Sequence, residues 1–174
     1  TFKPRSVDKK FFGKKTEENI IKSIESYNDA QDRFHYAFVA ADAEELVDIL
    51  QLEFKGKLIS LCGEIRRHSL TVPGIEILAG IGAVNIKSAA FKKKVIISSS
   101  TKEVTVGHTL DEIPVTVYHV KPEDFYFELF KRTGNEKHAE KILPKLKAKI
   151  FKSEDAIYRS AGMNFIIPAM RENV

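Results

Sequence analysis

The chain has 174 residues, 43% of them hydrophobic and 30% charged, the balance expected of a soluble globular protein with one large or two small domains. No apolar run approaches the roughly 18 residues a membrane span needs, and the single cysteine, Cys62, excludes both a disulfide framework and a cysteine-built metal site. A reducing, cytoplasmic setting is expected, and the formal net charge of +4 leans toward polyanionic partners.

Residues 1–10 carry no periodic pattern. Thr16 can cap a helix whose first turn holds Glu17 and Glu18, with Ile20, Ile21, Ile24 and Tyr27 following at helical spacing. A second helix is expected from Ala41 to Phe54, stopped by Gly56. From Lys57 the texture turns to strands. Residues 58–62, 75–81, 95–98, 103–106 and 113–120 read as five of them, the third and fourth paired around a polar link at 99–102. Pro122 opens a helix over 123–131 that turns Phe125, Leu129 and Phe130 inward. A further helix over 135–147 is bent or split by Pro144, and Ser153 starts a last one ending near Gly162. Helices, then strands, then helices predict an α+β fold with a mixed sheet.

Lys and Arg gather at 9–15, 66–67, 92–94, 131–132 and 141–152. The five histidines show no metal-pair spacing, and Gly80-Ile81-Gly82 lacks the third glycine of a phosphate-binding fingerprint. His119 reads as a packed or rim residue of a strand, and Cys62 as an inert core thiol.

Five segments in order resemble the family X DNA polymerases, and most closely the bacterial members that continue into a PHP phosphoesterase domain. Gly13-Lys14-Lys15-Thr16 is similar to the second half of a helix-hairpin-helix, where backbone N–H groups meet a DNA phosphate. Gly63-Glu64-Ile65-Arg66-Arg67 resembles the turn that holds the incoming triphosphate, and Val72 to Leu78 the strand with the first two metal-binding aspartates. Residues 113–117 resemble the strand of the third aspartate. Phe130 to Asn135 is similar to the aromatic-threonine-glycine-serine turn beside the nucleotide, and residues 162–173 to the closing segment before the phosphoesterase domain.

The resemblance implies a polymerase beta-like nucleotidyltransferase palm over 56–122. A helical, helix-hairpin-helix or fingers-like segment over 1–55 would precede it, and a trimmed thumb-like segment over 123–174 would follow. It implies DNA contacts at Gly13, Lys14, Lys15 and Thr16, nucleotide contacts at Arg66, Arg67, Thr133 and Gly134, and Mg²⁺ as cofactor. Yet the three aspartate positions fall at Gly74, Glu76 and Thr116, leaving Glu76 as the one metal-binding carboxylate. Mg²⁺ takes carboxylate and phosphate oxygens, and a pair of ions needs more than one acid. Glu112 lies four residues from Thr116, about 13 Å along a strand; Asp111 points to the other face, and Glu103 sits on a different strand. Glu64 stands where the family has a phosphate-binding serine, and Arg66 and Arg67 are free to pair with Glu64 or Glu76. Ala139 replaces a polar residue set against the base. The expected function is a catalytically silent core that positions gapped or nicked DNA for repair, upstream of a phosphoesterase domain. The alternatives are an active polymerase with an atypical metal site on Glu76, and a scaffold that binds neither DNA nor nucleotide.

Overall fold

In a computed structural model the chain divides into two compact units, Thr1–Arg33 and Phe34–Val174. The structure describes residues 32–82, 86 and 88–172, together with Lys15 and Asn19. Of the helix expected from Thr16 to Tyr27, only Asn19 lies among the described residues, and it is helical.

The second unit opens with β1 (Phe34–His35), which runs straight into α1 (Tyr36–Glu53). The helix begins five residues before Ala41. The chain enters it from a strand paired with β3 (Thr71–Val72), so no capping side chain marks the start. Val39, Ala43, Leu46 and Leu50 recur at three- and four-residue steps and are all buried in the core beneath the sheet. After β2 (Ile59–Leu61), Gly63–Arg66 forms one short helix, α2, where the sequence suggests a turn. The apolar run from Val72 to Leu78 is two strands, β3 and β4 (Ile75–Ala79). Pro73 has no N–H for a ladder and ends the first of them.

Ser88 caps α3 (Ala89–Lys94) by accepting the Phe91 N–H at 3.2 Å. With six residues, three of them lysine, α3 is too short to show a periodicity, and the sequence reading finds only a basic cluster there. β5 (Val95–Ser100), β6 (Val104–Thr109) and β7 (Pro114–His119) then form an antiparallel meander. The sheet order is β2-β4-β7-β6-β5, and only the β4–β7 contact is parallel. The fold is α+β with a mixed five-stranded sheet and a separate two-stranded ribbon of β1 and β3.

A 3₁₀ turn at Pro122–Asp124 leads into α4 (Phe125–Thr133). Asn135 caps α5 (Glu136–Ile142), and Pro144 falls in the 3₁₀ turn Leu143–Lys145 that ends it. Ser153 caps α6 (Glu154–Ser160). Period-two alternation divides the burial between two faces of β4. Ile75, Ile77 and Ala79 join α1 and α3 in the main core, while Leu78 packs with Cys62, Phe125 and Leu129 on the α4 side. A third cluster of Phe130, Ile142, Ile157 and Tyr158 ties α4, α5 and α6 together. Among the described residues no helix is long and apolar enough to cross a membrane.

Candidate functional site

Parallel pairing sets Glu76 of β4 beside Thr116 of β7, and Leu78 beside Tyr118. The two positions matched to the second and third aspartates are therefore neighbours, about 4.8 Å apart on adjacent strands. Gly74, matched to the first, lies against the partner strand: a Cβ placed there would sit 2.5 Å from the Pro114 carbonyl oxygen. The backbone has closed over the space a side chain would need.

The Glu76 carboxylate rests on the backbone of Gly63, where a Cβ would come within van der Waals overlap of Oε2; glycine at φ +67° leaves the room. Tyr118 donates its hydroxyl to Oε1 at 3.2 Å. Burial pushes the Glu76 carboxyl above the usual carboxylate range, against the Tyr118 hydrogen bond and the Arg132 and Arg67 charges, with Glu64 adding to the rise. Arg132 stacks its guanidinium 3.8 Å from the Tyr118 ring centroid. Burial also pushes the Cys62 thiol up, Glu76 adding to the effect, so the thiolate is suppressed.

Neither Glu103 nor Glu112 stands beside the Glu76–Thr116 pair. Glu103 lies in the link between β5 and β6, its carbonyl accepting the His119 N–H at 2.8 Å, so it sits at the far end of β7 from Thr116. Glu112 occupies the β6–β7 turn at φ +60°, exposed and 3.5 Å from His108. Among the described residues no group of three or more His, Cys, Asp or Glu side chains could hold a metal ion. One carboxylate, already bonded to a tyrosine, is a poor donor set for two Mg²⁺ ions.

Arg66, Arg67 and Thr133 do come together. Arg66 donates to the Thr133 hydroxyl at 2.9 Å and to both oxygens of Glu154, at 3.0 and 2.6 Å. Arg67 donates to the Thr133 carbonyl at 2.8 Å and to Glu172 at 3.2 Å. The expected ion-pair cluster is present, but its acids are Glu154 and Glu172 rather than Glu64 or Glu76. The double arginine leaves α2 toward α4 and α6, where its hydrogen bonds are made, although the Arg67 charge still reaches Glu76. Arg171, fully buried, adds a 2.5 Å bond to Glu154. Burial pushes the Glu154 carboxyl up, but Arg66 and Arg171 outweigh it and hold the group below its ordinary value. Gly134 packs on the His138 ring, whose Nε2 meets the Tyr158 hydroxyl at 2.8 Å.

A cleft of about 730 Å³ runs from the end of β7 along α4. Lys102, Lys121, Lys131, Arg132 and Lys149 line it, with Phe127 as an apolar wall and His119 at the strand end. Its acids are Glu103, Asp124 and Glu128. Glu128 is met by Lys131 and Arg132. Sequence reading singled out Lys131 and Arg132 as basic and placed Lys149 in the 141–152 cluster, but nothing local to the chain marks Lys102, Lys121 and Lys149 as their neighbours. Of the four residues expected to contact DNA, Lys15 is helical and exposed; Gly13, Lys14 and Thr16 lie outside the described residues. No family model and no curated protein matches the chain.

Proposed function

We propose that the chain is a DNA-binding, family X polymerase-like core that holds gapped or nicked DNA through its phosphates and does not itself transfer nucleotides. The observation that carries this reading is a cation-lined cleft beside a strand pair with a single carboxylate. Five basic side chains at the cleft suit a polyanion and carry no base-specific information. Gly74, Glu76 and Thr116 supply one acid where paired dications need several, and the loss falls where transition-state charge would develop. Lys14, Lys15 and Thr16 would add phosphate contacts, and a downstream phosphoesterase domain would act on the DNA so held.

Binding and extension of a one-nucleotide-gapped duplex test the proposal together. Binding that weakens steeply with salt, with no incorporation in Mg²⁺ or Mn²⁺, is the expected result. Incorporation abolished by Glu76→Gln would reinstate an active polymerase. Failure to bind at low salt would leave only a scaffold.

A further inference from the structure

The Glu172 carboxylate sits where two donors converge. Its Oε1 accepts from Arg67 Nε at 3.2 Å and from Ser69 Oγ at 2.8 Å. Arg67 is buried to 9% side-chain exposure and anchored through Nη1 to the Thr133 carbonyl, so it keeps its aim without Glu172. The two acids of the network differ in kind. Glu154 is 8% exposed and holds Arg66 and Arg171 on its two oxygens. Glu172 is half exposed, and among the described residues hydrogen bonds reach only one of its carboxylate oxygens. An ion pair that open to solvent contributes little to stability, so it is the half that exchanges. Arg171, fixed by Glu154 and by the Ile166 carbonyl at 2.9 Å, stays in place as the anchor beside it.

We propose that Glu172 is a displaceable plug on the double-arginine turn. A phosphate-bearing ligand takes Arg67 Nε and Ser69 Oγ from its carboxylate and frees the Glu172 peptide from Asn135, whose Nδ2 now donates to the Glu172 carbonyl at 3.1 Å. This rests on the expectation that the double-arginine turn meets phosphate, with Arg67 as the donor because Glu154 holds Arg66, and adds what regulates it. A phosphate group brings more charge and more oxygens than a carboxylate, so charge-assisted bonds favour the exchange. Linkage is reciprocal: a plug that the ligand expels must weaken the ligand by the same factor. If the plug is seated about nine-tenths of the time, removing it tightens binding about tenfold.

Titration with inorganic tripolyphosphate at low salt tests this in the intact chain, followed by calorimetry and by the Arg67 Nε–H resonance. The expected result is that Glu172→Ala binds about tenfold more tightly than the parent and Glu172→Gln, which keeps a neutral acceptor for Arg67 and Ser69, by a smaller factor, with the Arg67 resonance moving in all three. Equal affinity with the Arg67 resonance still moving overturns the plug and leaves the phosphate reading standing. An Arg67 resonance that stays still in every variant overturns both, whatever binds in the basic cleft.

Discussion

Replacing Glu154 with glutamine removes the acid shared by Arg66 and Arg171. Arg171 is fully buried; among the described residues its side chain also meets the Ile166 carbonyl and the faces of Tyr158 and Phe165, 5.3 and 5.5 Å from the guanidinium carbon, and its Nη2 has no hydrogen-bond partner. Breaking a buried pair from one side costs about 3–5 kcal/mol, because the surviving charge is left uncompensated. Arg66 is 20% exposed and is partly screened by water, which places the loss near the lower bound, about 3 kcal/mol. With a urea slope of about 2 kcal/mol/M, the unfolding midpoint falls by about 1.5 M. The sign with pH follows from the lowered Glu154 carboxyl. Its stabilisation is complete above the unfolded value of about 4.3 and is lost as pH falls through the lower folded value. Parent and variant therefore converge in acid. A midpoint shift under about 0.5 M at pH 7, or a gap that persists undiminished at pH 2, refutes the argument.

Gly74→Asp costs about 2–3 kcal/mol in urea unfolding, because its Cβ meets the Pro114 carbonyl. Combined with Thr116→Asp it still yields no primer extension; a stable, extending double variant sinks the steric explanation. Glu76→Gln keeps an acceptor for Tyr118 and stabilises the fold at pH 7 but not at pH 3. The raised Glu76 carboxyl loses stability as pH rises from the unfolded toward the folded value, and the amide has no such loss. Thermal melts at the two pH values check this. Lys121→Ala with Lys149→Ala lowers the salt slope of DNA binding by about two, roughly one per lysine, with little change in fold. Cys62 reacts with a thiol reagent only as fast as the chain unfolds, measured by labelling against denaturant, because it is buried and its thiolate is disfavoured.

Local patterns in the sequence foretell much of this architecture. Alternation in Ile75-Glu76-Ile77-Leu78 reports the two faces of a strand, and Asn135, Ser153 and Pro144 mark helix ends through their own backbone chemistry. The start of α1 escaped because a strand, rather than a capping side chain, leads into it. At the site, Glu76, Thr116 and the double arginine were legible as residue types in order. Their partners were not: Arg67 meets Glu172 across 105 positions, and no local period encodes such a meeting. The closure of Gly74 onto Pro114 was hidden for the same reason, since only strand register brings them together.

The parallel β4–β7 contact also sets an order of assembly. Ile97 pairs with Gly107 and Gly107 with Val115, separations that a hairpin closes early. Ile75 must find Val115 forty positions away, so the meander is a finished edge on which β4 docks late. The strand neighbours Glu76 and Thr116 are thus among the last in the sheet to meet, and a chain halted before that step would keep its hairpins while leaving this pair apart.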